Sequence, residues 1–130
     1  MDELIKLVVG RRYRVSMTRK VHKVYLKADA QQRARCEKWM RFFADDGHEN
    51  LDDKKLKYEG KFPAGKPGGT DLGIWAFKAW QLRVYGGVVN GNHFIATEVD
   101  IAKKQDAADQ AALKGAARKL SDFIVTGGKK

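Results

Sequence analysis

Hydrophobic and polar residues alternate with a period of two near the start of the chain, which is typical of β-strands. Within residues 11–17, the apolar Tyr13, Val15 and Met17 alternate with arginine and serine. A shorter alternation follows over residues 21–26. The pattern therefore predicts two strands before residue 27.

The next segment has a helical period. Asp29 is a residue type that caps the start of a helix, and Gly47 is one that commonly ends it. Spacings of three and four place four apolar residues between them on one helix face: Cys36, Trp39, Met40 and Phe43. Residues 48–73 lack a regular period and contain both prolines and several glycines, so we predict a loop there.

Strand patterns dominate the second half of the chain. Residues 74–89 alternate, and Asn90-Gly91 then favours a type I′ hairpin turn into a returning strand over 94–101. From Lys103 the period changes to 3.6, which predicts a C-terminal helix. We therefore expect an α+β fold, with an antiparallel sheet of about four strands, one helix in the N-terminal half and one at the C-terminus.

The length and composition fit one domain. The chain has 130 residues, of which 43% are hydrophobic, enough for a single core. We expect residues 1–16 to form an N-terminal extension or an extra strand, 17–126 to form the domain, and 127–130 to be a frayed tail. Cys36 is the single cysteine, so no intramolecular disulfide can form, and no apolar stretch has the length of a membrane span. These features favour the cytoplasm.

The strongest global signal is a net charge of +10. Such an excess attracts polyanions, and RNA is the partner we favour over an acidic protein. The positive residues fall into an early set of Arg11, Arg12, Arg14, Arg19, Lys20 and Lys23, a middle set of Lys54, Lys55, Lys57, Lys61 and Lys66, and a late set of Lys78, Arg83, Lys103 and Lys104.

The glycine-rich segment 60–70 resembles a phosphate-binding loop only in composition. Pro67 follows Lys66, where a nucleotide-binding P-loop requires Ser or Thr. A basic loop that contacts an RNA backbone through Lys61 and Lys66 is the alternative that we retain, together with a plain connector.

The late set of positive residues is the candidate site. The alternation places Arg83 on the strand face opposite Trp80, Leu82 and Val84, and Tyr85 shares the face of Arg83. A hairpin would bring Lys78, Lys103 and Lys104 to the same region. Cations there could bind RNA phosphates, and the ring of Tyr85 could stack on a base or pack in the sheet.

This arrangement suits RNA cleavage without a metal or another cofactor. Attack by the 2′-hydroxyl needs a base, an acid and stabilisation of the phosphate charge, which arginine and lysine can supply. His93 and Glu98 are candidate acid/base groups. The three histidines, His22, His48 and His93, are scattered and do not have the spacing of metal ligands.

Four segments together resemble one family of toxins. They are residues 21–26 (VHKVYL), 74–78 (IWAFK), 82–85 (LRVY) and 101–105 (IAKKQ). In their order and character they are similar to the RelE/HigB branch of bacterial and phage type II toxin–antitoxin toxins, within the RelE/ParE superfamily.

The resemblance implies a RelE-like fold and a toxin that cleaves mRNA, usually in the ribosomal decoding site, and is silenced by a cognate antitoxin. On that basis Arg83, Lys103 and Lys104 match catalytic or RNA-binding positions, and Lys78 stands where the family has arginine. Ala76 stands where the family has glutamate. A second hypothesis is therefore a non-cleaving protein of the same fold that binds gyrase, nucleic acid or an acidic protein.

Overall fold

The computed structural model describes residues 4–65, 69–102 and 109–124, and within these ranges the chain forms one six-stranded sheet and three α-helices. The strands are β1 Leu4–Val9, β2 Arg14–Thr18, β3 Leu56–Phe62, β4 Leu72–Ala79, β5 Leu82–Val89 and β6 His93–Asp100. The helices are α1 Arg19–Tyr25, α2 Ala30–Asp46 and α3 Gln110–Leu120, with short 3-10 turns at His48–Asn50 and Ser121–Phe123. The fold is α+β, as expected.

The sheet is larger than the expected four antiparallel strands, and it is mixed. Its order is β1-β2-β6-β5-β4-β3; β2 pairs with β6 in parallel, and all the other pairs are antiparallel. β1 is an edge strand that lies within residues 1–16. β2 crosses the boundary expected between residues 16 and 17, so the N-terminal segment is part of the same sheet. β3 forms the other edge inside the segment predicted as a loop. Its alternation is obscured by lysines, which are common on edge strands, and by a bulge between Tyr58 and Gly60.

The strand predicted over residues 21–26 is wrong, because this segment belongs to α1. Thr18 caps the helix, and its side-chain oxygen accepts a hydrogen bond from the backbone N–H of Val21 at 3.2 Å. Val21 and Tyr25, four residues apart, face the core, whereas Val24 and Leu26 are exposed. A six-residue run can match both periods, so its burial in the fold decides between them.

The helix predicted between Asp29 and Gly47 is confirmed as α2. The carboxylate of Asp29 accepts hydrogen bonds from the backbone N–H groups of Gln31 and Gln32, and Gly47 ends the helix with a φ of 85°. Cys36 lies on the buried face, and burial raises the pKa of its thiol. The apolar stripe therefore works as a packing surface.

The segment predicted as one strand region, 74–89, contains two strands. β4 and β5 are joined by the two residues Trp80 and Gln81, so Trp80 lies in a turn and not on a strand face with Leu82. The hairpin predicted at Asn90-Gly91 is confirmed: both residues have positive φ, and three residues, 90–92, separate the paired Val89 and His93.

Helices cover both faces of the sheet. On one face, α1 and α2 pack against strand residues that include Phe77, Leu82, Val84 and Phe94. The other face packs on α3 through a separate cluster that contains Ile74, Ala76, Tyr85, Ile95 and Leu113. α3 begins after its cap Asp109, later than predicted, and residues 103–108 and 127–130 lie outside the described ranges. Among the described helices, none has the length and apolar character required to cross a membrane.

A bulge between β5 and β6 positions α3. Gly86 pairs with Ala96 and Tyr85 pairs with Glu98, so Thr97 is the extra residue on β6. Its hydroxyl donates a buried hydrogen bond to the carbonyl of Ala116 on α3 at 2.8 Å. The strands approach so closely here that a Cβ on Gly86 would lie 2.2 Å from the carbonyl oxygen of Ile95. The bulge therefore depends on glycine at this position.

We expect Gly86→Ala to lower the free energy of unfolding by about 1–3 kcal/mol, because the added methyl group meets backbone that cannot move independently. Chemical denaturation followed by circular dichroism measures the change. Val88→Ala, an exposed position on the same strand, is the matched control and should have little effect. Equal stabilities for Gly86→Ala and the wild type would contradict the close approach.

Candidate nucleic-acid interface

A basic cleft lies at the end of the sheet where β4 turns into β5. Its volume is about 540 Å³, and its lining consists of Arg35, Trp39, Lys54, Lys55, Lys57, Lys78, Ala79, Trp80 and Arg83. Six of these nine residues are lysine or arginine, and none of the described lining residues is acidic. The cleft is therefore suited to a ligand with several negative charges.

Pairing between strands brings the cations together. Lys78 of β4 is the register partner of Arg83 of β5, which places two positive residues directly opposite each other. The backbone N–H of Lys78 donates to the carbonyl of Lys55 at 2.8 Å, and Lys57 pairs with Ala76 on the same edge. Asp100 of β6 is the register partner of Arg83 on its other side, so an acidic residue is paired with one of the two cations. The described residues at this end of the sheet still carry an excess of positive charge.

Arg83 has a structural role in the wall of the cleft. Its side chain is only 7% exposed, and its Nη1 donates hydrogen bonds to the backbone carbonyls of Trp80 and, at 3.1 Å, of Leu82. The alternation of apolar and polar residues predicts that Arg83 faces away from Leu82, but it does not predict that the residue is buried. Arg83 therefore holds the β4–β5 turn in the conformation that shapes the cleft.

Two tryptophans form the aromatic part of the cleft. The guanidinium carbon Cζ of Arg35 lies 4.8 Å from the ring centroid of Trp80 and 5.8 Å from that of Trp39. Lys55 Nζ lies 5.0 Å from the Trp39 centroid. These are cation–π distances, so the rings and the positive groups form one continuous surface.

The structure brings together Lys78 and Arg83, two of the residues predicted for the site. Lys61 lies four residues beyond Lys57 on β3, roughly 13 Å along the strand, and does not line the cleft. Tyr85 is only 1% exposed and packs under α3, and burial raises its pKa to about 12. Its ring is enclosed and offers no face to a base, so the prediction of stacking is not supported. Three further residues lie outside the described ranges: Lys66, Lys103 and Lys104.

The two candidate acid/base residues lie away from the cleft. His93 begins β6, seven residues or roughly 23 Å from the end of the strand at Asp100, and its Nε2 is 2.8 Å from Ser16 Oγ. Glu98 forms an ion pair with Lys119 of α3 at 2.5 Å. In the part of the chain that the structure describes, no group of three or more His, Cys, Asp or Glu side chains is arranged to hold a metal ion.

The sequence patterns do not indicate the contribution of Arg35, Trp39 and Trp80. On α2, Arg35 and Trp39 look like a solvated cation and a core residue, and Trp80 fits a strand. Their proximity depends on the packing of α2 against β4, which no local pattern encodes. The sequence shows the middle set of lysines as a cluster along the chain. The pairing of β3 with β4 then determines which of them line the cleft.

Comparison of the chain with protein-family models, with curated proteins and with solved structures finds no match in any of the three. The function must therefore be argued from the geometry and chemistry of the site.

The pKa of His93 gives a test of the β2–β6 junction. Burial lowers this pKa from its ordinary value of 6.5, and the positive charge of Arg14 lowers it further. The unfolded chain therefore binds a proton at a pH where folded His93 is still neutral. Its contribution to stability is complete above the unfolded pKa and decreases as the pH falls through and below that value.

We expect the free energy of unfolding to fall more steeply between about pH 7 and pH 5 in the wild type than in His93→Gln, which does not titrate there. Denaturant titrations at several pH values measure the difference. Identical pH profiles for the two proteins would show that His93 is not desolvated. The same variant should leave RNA binding unchanged, because position 93 lies far from the cleft.

Proposed function

We propose that this protein is a RelE/HigB-like toxin that cleaves mRNA without a metal, acts on translated mRNA in the cytoplasm and is silenced by an antitoxin. The observation that carries the proposal is the cleft formed by six cationic residues and two tryptophans, with no acidic residue in its described lining. RNA supplies the matching chemistry, because its phosphates bind cations and its bases stack on aromatic rings.

The cleft has the charge stabilisation that cleavage by the 2′-hydroxyl requires. Negative charge grows on the phosphate oxygens in the transition state, and positive groups fixed beforehand stabilise that charge most effectively. Strand pairing fixes the backbone positions of Lys78 and Arg83, and the guanidinium of Arg83 is held also by its hydrogen bonds to the turn. Lys103 and Lys104, which the resemblance matches to catalytic or RNA-binding positions, lie outside the described ranges.

The order of elements also supports the proposal. From Arg14 onward the chain forms a strand, two helices, an antiparallel run of four strands and a C-terminal helix. The order agrees with the proposal from β4 to the C-terminal helix, whereas residues 21–26, one of the four segments that carry the resemblance, form α1 and not the opening strand. β1 and the parallel β2–β6 pair enlarge the sheet beyond the simple antiparallel arrangement.

A second candidate function is a protein of this fold that holds nucleic acid without cutting it. The observation that favours it is the absence of His93 and Glu98 from the cleft, since the described lining offers lysine and arginine alone as ionisable groups. Gyrase or an acidic protein would be the partner in other versions of this hypothesis. These partners do not explain the two tryptophans in the cleft as directly as RNA does, because RNA has bases that stack on aromatic rings.

Induced expression in bacteria, followed by mapping of mRNA 5′ ends, tests the proposal. We expect the wild type to arrest growth and to cut translated mRNA. The double variant Lys57→Gln/Lys78→Gln should cut at a rate lower by roughly tenfold or more, because it removes charge stabilisation at the phosphate. Co-expression of a small antitoxin encoded by the neighbouring reading frame should restore growth.

Lys6→Gln/Lys114→Gln is the matched control. It removes the same net charge at positions that do not line the cleft, and it should cut mRNA as the wild type does. Intact mRNA in growing cells would refute the toxin. RNA that copurifies with the protein without new 5′ ends would favour the binding protein.

A further inference from the structure

We propose that Trp80 and Arg35 form a subsite that stacks one base of a single-stranded RNA while the neighbouring lysines hold its phosphates. This inference rests on the proposed RNA ligand, but it does not require that the RNA be cleaved. It identifies the substrate as an unpaired strand and assigns the recognition of a base to a residue in the β4–β5 turn.

The first observation is the position of Trp80. The residue is 56% exposed, although tryptophan is the largest apolar side chain and gains most from burial. Its φ is 55°, in the left-handed region that bulky residues rarely adopt and that glycine or asparagine occupies more easily. Turn geometry therefore does not explain a tryptophan here. The guanidinium of Arg35 packs over the ring, and the part of the ring that stays exposed can stack on a ligand.

The second observation is that Trp80 and Arg35 belong to two adjoining clefts. Both residues line the basic cleft, and both also line a shallower cleft of about 420 Å³ with Gln31, Ala34 and Lys38 of α2. A nucleotide bound here can place its phosphate among the lysines and its base against the Trp80 ring. The guanidinium of Arg35, 4.8 Å from the ring centroid, lies where it can contact both parts of the nucleotide.

The third observation is that the backbone of the turn is held in place. Arg83 donates hydrogen bonds to the backbone carbonyls of Trp80 and Leu82. A ligand that stacks on the ring therefore does not have to order the turn that carries it. The site thus has the properties of a stacking platform next to a phosphate-binding groove.

The geometry favours an unpaired strand over a duplex. Bases in a duplex are stacked on one another, whereas those of a single strand can turn outward onto an aromatic ring. Stacking on tryptophan tolerates any base, because every base has a π face. We therefore expect binding to single-stranded RNA with little sequence preference at this position.

Binding to a fluorescent oligouridylate of about eight nucleotides, a common site size for single strands, tests the subsite by fluorescence anisotropy. Trp80→Ala should weaken binding by roughly tenfold, the effect of removing one stacked base. Inorganic polyphosphate, a polyanion without bases, should bind the wild type and Trp80→Ala equally well. Trp80→Phe should restore most of the affinity for RNA.

Phe42→Ala is the matched control, because Phe42 is an aromatic residue that is 45% exposed and lines neither cleft. It should bind RNA as the wild type does. If Trp80→Ala is unstable, Trp80→Asn replaces it, since asparagine tolerates positive φ. RNA affinity that is unchanged in the Trp80 variants would overturn the subsite, and so would an equal loss for RNA and polyphosphate.

The outcomes separate this inference from the proposed function. A wild type that cuts no mRNA but loses RNA affinity with Trp80→Ala would refute the endoribonuclease and leave the subsite in place. A wild type that cuts mRNA and binds RNA independently of Trp80 would leave the endoribonuclease in place and refute the subsite.

Discussion

The parallel pairing of β2 with β6 determines where the other elements lie. A tight turn cannot join parallel strands, so the chain between them must cross the sheet. It does so with α1 and α2 on one face and then returns through the antiparallel run from β3 to β6. This route brings the β4–β5 turn, the start of β3, the end of β6 and the first half of α2 to one end of the sheet. The basic cleft is built there from residues far apart in the sequence.

The two ends of α2 both carry acidic residues. Asp29 caps the first turn and suits the positive end of the helix dipole, whereas Asp45 and Asp46 lie in the last turn, near the end that favours positive charge. The C-terminal end has a structural role, because it binds the β1–β2 connection through hydrogen bonds and an ion pair. Arg35 lies beyond the first turn, where the dipole has little effect, and contributes to the cleft.

The elements that could be predicted from the sequence are those with strong local signals. The caps Asp29 and Gly47 fixed α2, and Asn90-Gly91 fixed the β5–β6 turn, because these residue types suit particular backbone conformations. The β4–β5 turn carried no such signal, since Trp80 and Gln81 are not turn residues. Tertiary context also decided α1, where the cap Thr18 and the buried Tyr25 outweigh a strand-like alternation.

For the site, strand alternation placed Arg83 on the face opposite Leu82, because this alternation follows from covalent geometry. Tyr85 shares the face of Arg83, yet α3 covers it, while Arg83 lies beyond the covered part at the sheet end. One face of a strand can therefore supply both a core residue and a cleft residue. Because Arg83 also holds the Trp80 turn, its removal would disturb the shape of the cleft together with its charge. Substitution of the cleft lysines changes the charge without removing the hydrogen bonds that hold the turn. The effect of charge can therefore be measured separately from that of the aromatic contacts.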